Sequence, residues 1–424
     1  MRCPALLRWL RGAFRTCCVC AALCVVPAAG CGTTVDSLGH DRPRESDDLR
    51  PLSGPDEYPN ALRDVLGLTD EEIADRLDAS FDQLFYGDPE NEAIYVEVGD
   101  DQAYIEDVYH GDVRTEGIGY GMLIAVQLDK RDEFDRLWRY TKSELEFTSG
   151  PGEGYFLSKC DAWNGPVPCA DPFGQQQIAM ALLLAHGRWG SDTGSIDYGA
   201  DALSVLEVMR YKEEQNGGVV DGVTNTFDTS TKLAFDFPHV ASSKLTRPSN
   251  EMPAYYELWA QATGDPFWYE AAASAREYWK RVAHPTTGLT PVRAYFDGSP
   301  VLGADFFGSE SYRTQLNMAI DHLWFGTEPW LVEHADRLLA FFSGQGIDKY
   351  VASYTLDGKA MVGGQMAALV TVNGVTGLVA TTEERAAFIE AAWNEELQVG
   401  DARYYPGLLH LVALLTLSGQ FRVY

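Results

Sequence analysis

Residues 69–87 read TDEEIADRLDASFDQLFYG, and their apolar side chains recur at intervals of three and four residues. Thr69 can cap a first turn and Gly87 can end the last one, so this stretch predicts an amphipathic helix. The same period returns along most of the chain, in segments separated by Gly, Pro or Asp. These further helical segments lie near residues 118–146, 175–189, 199–213, 252–264, 266–283, 312–325, 328–343, 365–379, 382–396 and 405–418.

Helices therefore dominate the predicted secondary structure. Alternation typical of strands is limited to short pieces such as residues 93–98. A long unbroken series of helices without coiled-coil heptads predicts an all-α fold in which helical hairpins close into an (α/α)6 barrel. A helical-repeat solenoid is the alternative, but the sequence shows no fixed repeat period.

The composition restricts the class of ligand. Of the 424 residues, 62 are acidic and 33 are basic, which gives a formal charge of −29. A surface this negative repels nucleic-acid phosphate, so no nucleic-acid partner is expected. The eight histidines are scattered singly, without the spacing of a zinc site, and neither a metal nor an organic cofactor is expected. The 10 Trp and 21 Tyr suggest flat surfaces for a neutral polar ligand.

The N-terminus has the order of an export signal. Four arginines precede an apolar run from about residue 17 to residue 29, which is too short for a comfortable membrane span. The run ends in Ala28-Ala29-Gly30-Cys31, which resembles a bacterial lipobox. We therefore expect residues 1–30 to be a signal peptide and Cys31 to carry a lipid, the only expected contact with a membrane. The protein would then be a lipoprotein at the cell envelope; ordinary cleavage and secretion is the alternative.

The rest of the chain divides into a tether and one domain. Residues 31–58 carry little apolar content and predict a flexible linker, whereas residues 59–424 keep a globular composition throughout. The domain holds only two cysteines, Cys160 and Cys169, in a stretch rich in Gly, Pro and Asp. They could close a disulfide in an oxidising compartment, and two free buried thiols are the alternative.

Two acidic residues stand where irregular segments run into helices. Glu116 lies in HGDVRTEGIGYGM, residues 110–122, beside glycines that allow another backbone or a ligand to approach closely. Glu310 lies in FGSESYR, residues 307–313, three residues before Arg313. A carboxylate at a helix start often serves only the helix dipole, and a surface ion pair between Glu310 and Arg313 is the simplest structural explanation.

A third acidic residue, Asp171, follows the loop between the cysteines, which also carries Trp163, and can act as a plain helix cap. Carboxylates at separate helix starts suit one reaction in particular. Hydrolysis of a glycosidic bond needs a protonated acid at the leaving oxygen and an ionised base that activates water. The aromatic residues Tyr120, Tyr312 and Trp163 could offer ring faces to a sugar, or they could be core.

A resemblance sharpens this hypothesis. The segment RTEGIGYGMLIAVQLD, residues 114–129, resembles the signature of glycoside hydrolase family 8. The resemblance extends over nearly the whole domain and is closest to the reducing-end xylose-releasing exo-oligoxylanases, beside the endo-xylanases. It implies an (α/α)6 barrel, inverting cleavage of β-1,4 links by two carboxylates, and xylo-oligosaccharides as substrates. Further similar segments are residues 84–95, 133–142, 253–262, 284–289, 354–358 and 404–423.

The resemblance also implies roles for individual residues. Glu116 matches the general acid of the family. Glu310 stands in SESYR, residues 309–313, where the family usually has an Asp as general base, so its carboxylate is one methylene further from the backbone. The residues that we expect to bind substrate are Arg114, Tyr120, Trp163, Asp171, Tyr312 and Arg313.

Three departures from the family pattern leave alternatives open. Phe173 and Gln175 occupy positions where relatives carry Asp, Ser158 stands where xylan-active relatives have Trp, and residues 361–365 lack the His of a blocking loop. The last departure leaves exo action open. A catalytically impaired sugar-binding protein on the same scaffold is one alternative. A hydrolase for cellulo- or chito-oligosaccharides is another.

Overall fold

The computed structural model describes residues 45–158, 170–191, 195–361 and 363–424. Within them, thirteen α-helices account for most of the regular structure. They are α1 (Ala61–Asp64), α2 (Asp70–Tyr86), α3 (Thr115–Gln127), α4 (Arg131–Tyr140), α5 (Pro172–Trp189), α6 (Tyr198–Asn216), α7 (Pro253–Thr263), α8 (Pro266–Val282), α9 (Ser309–Phe325), α10 (Pro329–Gln345), α11 (Ala367–Val379), α12 (Arg385–Asn394) and α13 (Tyr404–Leu417).

The strands are short and all pair antiparallel. They are β1 (Tyr95–Val98), β2 (Gln102–Asp107), β3 (Asp112–Val113), β4 (Leu245–Thr246), β5 (Ala294–Tyr295), β6 (Phe306–Phe307) and β7 (Tyr354–Thr355). The first three form one sheet in the order β1-β2-β3, while β4 pairs with β5 and β6 pairs with β7. The β4–β5 pair connects the loops that precede α7 and α9, and the β6–β7 pair connects those that precede α9 and α11.

Six helices form an inner ring: α3, α5, α7, α9, α11 and α13. Nearly every side chain of α3, α11 and α13 is buried, which is the pattern of helices surrounded by protein on all sides. Packing runs from α7 through α9, α11, α13 and α3 to α5. Between α5 and α7, the Tyr255 hydroxyl donates to Gln177 Oε1 at 3.1 Å, and this contact closes the ring.

Six helices, each with buried and solvent-exposed positions, pack outside this ring: α2, α4, α6, α8, α10 and α12. In α2 the buried residues include Ile73, Leu77, Phe81 and Leu84, the apolar stripe that predicts this helix. The Thr69 hydroxyl accepts from the Glu72 backbone amide, and the Glu72 carboxylate accepts from the Thr69 amide, which completes a capping box. The predicted all-α fold and (α/α)6 barrel are thus confirmed.

The helical segment predicted over 118–146 consists of two helices, not one. The chain reverses between α3 and α4, where Asp129 adopts a left-handed φ of 61°. The side chain of Asp129 accepts a hydrogen bond from Trp189 Nε1 at 2.7 Å, which ties this reversal to the end of α5. The apolar period continues across the turn, so periodicity alone could not reveal it.

The predicted linker ends too late. Residues 45–58 pack onto the barrel instead of forming a tether: Leu49, Leu52 and Tyr58 contact the core. The Arg50 amide donates to the Ala262 carbonyl at 3.0 Å, and the Val423 amide donates to the Tyr58 hydroxyl at 2.9 Å. Few apolar residues are enough here because the backbone and Tyr58 also form hydrogen bonds with the barrel. None of the described helices is long and apolar enough to cross a membrane.

Candidate active site

The starts of three inner helices, α3, α5 and α9, line a cavity of about 250 Å3. Glu116 is the second residue of α3 and Glu310 is the second residue of α9, while Asp171 caps α5. All three carboxylates line the cavity, and the loops before α7 and α9 complete its wall. The remaining lining residues are Arg114, Ser158, Ala170, Asp236, Phe237, Arg247, Val292, Arg293, Gly303, Ala304 and Phe306.

Small residues bring the helix starts together. A methyl group added to Gly174 would lie 2.4 Å from the Thr115 carbonyl carbon and 2.6 Å from the Glu116 nitrogen. A methyl group on Gly117 would lie 2.7 Å from the Tyr404 hydroxyl. Glu116 therefore occupies its place because Gly174 lets the backbone of α5 meet that of α3, and Gly117 makes room for the Tyr404 side chain of α13.

We expect Gly174→Ala to damage both stability and turnover. The added methyl group must push the start of α5 from the start of α3, at about 1–3 kcal/mol of unfolding free energy. The shift displaces Glu116 and should lower kcat about tenfold or more. Gly344→Ala in α10 is the matched control, because no atom lies within 4 Å of its new methyl group. Urea denaturation and kcat check the pair, and equal behaviour of the two variants would contradict this account.

Arg313 joins the two predicted catalytic carboxylates. Its side chain is only 1% exposed, and Nη1 donates to Glu116 Oε2 at 2.5 Å while Nη2 contacts Glu310 Oε2. The guanidinium also lies 4.1 Å from the centre of the Phe173 ring. Burial alone lowers the pKa of Arg313, but Glu116 and the neighbouring tyrosines raise it, and the net shift is upward. Arg313 is therefore a buried, charged residue that contacts both acids. The predicted surface ion pair between Glu310 and Arg313 is wrong in this respect, because the arginine is buried.

A second guanidinium reaches Glu310 from the loop before α7. Arg247 Nη1 lies 3.5 Å from Glu310 Oε2, and Arg247 Nε donates to Asp236 Oδ1 at 2.7 Å. Asp236 also pairs with Arg293, whose Nε lies 3.3 Å from Oδ2. The sequence offers no sign of Arg247, Asp236 or Arg293, because they lie in irregular loops where no period or motif marks them.

Arg114 and Asp171 lie where the sequence places them, in the cavity wall. Arg114 Nε pairs with Asp107 at 3.0 Å and with Asp112 at 2.9 Å, and both partners lie on the hairpin of β2 and β3. Asp171 accepts from the backbone amides of Phe173 and Gly174 at 3.3 and 3.4 Å. Asp171 is thus a helix cap and a cavity residue at once.

The predicted aromatic contacts have different positions. Tyr120 and Tyr312 are buried, at 1% and 0% exposure, and neither presents a ring face to the cavity. Tyr312 donates its hydroxyl to the Ala352 carbonyl, so it supports the wall from behind. Tyr405, which sequence reasoning missed, is half-buried and donates to the Ser309 carbonyl at 2.6 Å, next to Glu310. The predicted residues Cys31, Cys160, Trp163 and Cys169 lie outside the described residues.

The loop that carries Asp236 and Arg247 is anchored by a buried acid. Glu251 is fully buried, and its Oε1 accepts from the Ala234 amide at 3.1 Å and from the Thr246 hydroxyl at 3.4 Å. Burial raises the pKa of Glu251 to about 8, although hydrogen bonds from Ala234, Thr246 and Tyr256 oppose the shift. The carboxyl group is therefore protonated in the folded protein at neutral pH.

This raised pKa predicts a pH-dependent difference in stability. Between about pH 4.3, where an unfolded Glu releases its proton, and pH 8, only the folded state keeps the proton, so stability falls as pH rises. Glu251→Gln removes this loss and keeps a carbonyl oxygen for Ala234. We expect the variant to gain on the order of 3 kcal/mol over the wild type between pH 5 and pH 8 in urea denaturation. Glu270→Gln on α8 is the exposed control, and a gap that is constant with pH would contradict the prediction.

Among the described residues, no group of three or more His, Cys, Asp or Glu side chains could hold a metal ion. The arrangement instead offers two carboxylates at one cavity, with guanidinium groups between and beside them. Two such carboxylates can carry out acid–base chemistry on a bond placed between them.

Comparison with known proteins agrees with this chemistry. The profile of glycosyl hydrolases family 8 matches residues 105–419. The reducing-end xylose-releasing exo-oligoxylanase Rex8A of Paenibacillus barcinonensis is 37% identical over 369 residues, which cover 84% of this chain and 94% of the relative. The reducing end xylose-releasing exo-oligoxylanase of Halalkalibacterium halodurans is 36% identical and covers 87% of this chain and 95% of its own.

A solved structure gives the same result. The crystal structure of a GH8 xylobiose complex from Teredinibacter turnerae superposes with a TM-score of 0.81 at 32% sequence identity. The match covers 87% of this chain and 98% of the other.

Proposed function

The chain belongs to glycoside hydrolase family 8, and from this premise we propose that it hydrolyses β-1,4-linked xylo-oligosaccharides with inversion at the anomeric carbon. One observation carries the proposal: Glu116 and Glu310 begin two inner helices, line one cavity and share a contact with Arg313. The relatives named above release xylose from oligoxylans, which supports this substrate class.

The two carboxylates divide the reaction between them. Glu116, in its protonated form, donates a proton to the glycosidic oxygen as the bond to the anomeric carbon breaks. Glu310, in its ionised form, takes a proton from a water that attacks the opposite face of the sugar. Glu116 ends ionised and Glu310 ends protonated, and proton exchange with solvent restores both. Arg114 and Asp171 line the same cavity and can form hydrogen bonds with sugar hydroxyl groups.

The test is turnover of defined oligosaccharides. Purified protein is incubated with xylobiose through xylohexaose and, for comparison, with cello- and chito-oligosaccharides of the same lengths. We expect xylo-oligosaccharides to be cleaved fastest, Glu310→Gln to be inactive, and Glu310→Asp to keep part of the activity because it keeps the carboxylate. Wild-type binding of xylo-oligosaccharides without turnover would contradict the proposal and support the sugar-binding alternative. Faster cleavage of another glycan would overturn only the substrate class.

We also propose that the protein is exported and anchored through a lipid on Cys31. The arginines and apolar run before Cys31 support this proposal.

Labelling with tritiated palmitate in a bacterial host tests the anchor. We expect label in the wild type and none in Cys31→Ser, which should also leave the membrane fraction. Equal labelling or equal membrane association of both proteins would contradict the proposal. Cys3→Ser, in the signal segment, is the matched control and should be labelled as the wild type is.

A further inference from the structure

We propose that Arg247 is a positioning residue that holds Glu310 in place as the base, and that Asp236 orients Arg247 for this role. The inference rests on the proposed function, since it assigns a task within the same reaction. Its basis is the double contact of Glu310: the same carboxylate oxygen, Oε2, contacts Arg313 and lies 3.5 Å from Arg247 Nη1.

Arg313 alone cannot hold Glu310 during the reaction. Its guanidinium also binds Glu116, so the two carboxylates share adjacent nitrogens of one planar group. An inverting enzyme needs its carboxyl groups about 6.5–9.5 Å apart, with the sugar and a water between them. Entry of the sugar and the water therefore requires Glu310 to move off Arg313, and Arg247 is the second cation within reach of its carboxylate.

Arg247 is built for this task. Its side chain is 17% exposed and lies among the carboxylates of Asp236 and Glu310, with those of Asp171 and Glu116 near enough to act on its charge. Burial by itself lowers the pKa of Arg247, but Asp236 and Asp171 raise it, and the net shift is upward. The residue thus keeps its positive charge in the cavity wall.

Asp236 fixes the direction of the guanidinium. Its side chain is only 3% exposed and takes Arg247 Nε on one oxygen and Arg293 Nε on the other. With Nε held by Asp236, Nη1 points toward Glu310. A planar guanidinium can serve both carboxylates at once, whereas an ammonium group is a single point charge.

The experiment compares Arg247→Met, Arg247→Lys and Asp236→Asn with the control Lys244→Met. Lys244 is an exposed residue of the same loop, and its substitution removes one positive charge outside the cavity. Each protein is assayed on xylotetraose across pH, and its thermal unfolding is recorded. We expect Arg247→Met to lose about 10- to 100-fold in kcat with KM within about threefold. The acid limb of its kcat/KM profile should move to higher pH, because loss of a nearby cation disfavours the ionised base.

The other variants separate positioning from a merely structural role. Arg247→Lys should return the acid limb to its wild-type place and recover only part of kcat. Asp236→Asn should also lower kcat but move the acid limb to lower pH, because it removes a negative charge near the base. The inference is overturned if the wild type turns over while Arg247→Met matches Lys244→Met in kcat and pH profile. It is also overturned if Arg247→Met loses only stability. Absence of turnover in the wild type would instead refute the proposed function itself.

Discussion

Glu116→Gln should lower kcat on xylo-oligosaccharides about a thousandfold or more and leave the folded protein intact. A side-chain amide cannot give a proton to the leaving oxygen. Its carbonyl oxygen can still accept from Arg313 Nη1, which lies 2.5 Å from Glu116 Oε2. Steady-state kinetics on xylotetraose and thermal unfolding of both proteins measure the two parts of this prediction.

An activated substrate separates the acid from the base. An aryl β-xyloside with an acidic phenol releases that phenol as a phenolate, which needs no proton from the enzyme. The kcat of Glu116→Gln should therefore fall only about tenfold on this substrate. Glu310→Gln should lose equally on both substrates, because water must still be activated. The assignment of Glu116 as the acid fails if its variant loses the same factor on the activated and the natural substrate.

Arg313→Met should lower both stability and activity. Met fills much the same volume against Phe173, so the main change is the loss of a buried positive charge that neutralises two carboxylates. Glu116 and Glu310 have side-chain exposures of 15% and 29%, so water relieves part of their repulsion. We expect about 3 kcal/mol of destabilisation and a loss of kcat of at least a hundredfold. Urea denaturation and kcat give the two numbers.

Arg313→Lys is the control that keeps the positive charge but not the planar guanidinium group. Lys restores a positive charge, so it should regain part of the stability. It lacks the planar guanidinium that packs on Phe173 and orients Glu116, so kcat should stay low. If Arg313→Met unfolds at the same urea concentration as the wild type, Arg313 does not stabilise the fold by neutralising the two carboxylates.

The sequence predicts the fold well because two features, the period of the apolar residues and the width of the apolar face, can be read within each helix. A helix that is apolar on all sides, such as α11 or α13, must lie inside the ring, and one with a single stripe, such as α2, must lie outside it. A turn without Gly or Pro, such as the one at Asp129, does not interrupt the apolar periodicity of the sequence. Periodicity therefore does not reveal where one helix ends and the next begins. The linker prediction extended too far because a few apolar side chains, among them Leu49 and Leu52, decide whether a polar segment packs.

The site is predictable only in part. Glu116, Glu310 and Arg313 stand out because they lie in segments that resemble a known family, and the structure brings all three together. Arg247 and Asp236 are separated by eleven positions within an irregular loop, so only the folded chain shows that they meet beside Glu310. Tyr120 and Tyr312 show the converse error, since an aromatic residue near a helix start can equally be core.

The most direct test of the two-carboxylate account is the configuration of the first product. Proton NMR of xylotetraose hydrolysis, recorded before mutarotation, should show the α-anomer at the new reducing end, because water attacks opposite the departing β-linked oxygen. The increase in α-anomer above the signal of the xylotetraose reducing end itself should be absent in both Glu116→Gln and Glu310→Gln. Initial release of the β-anomer would mean retention and would contradict the assignment of Glu310 as a base acting on water.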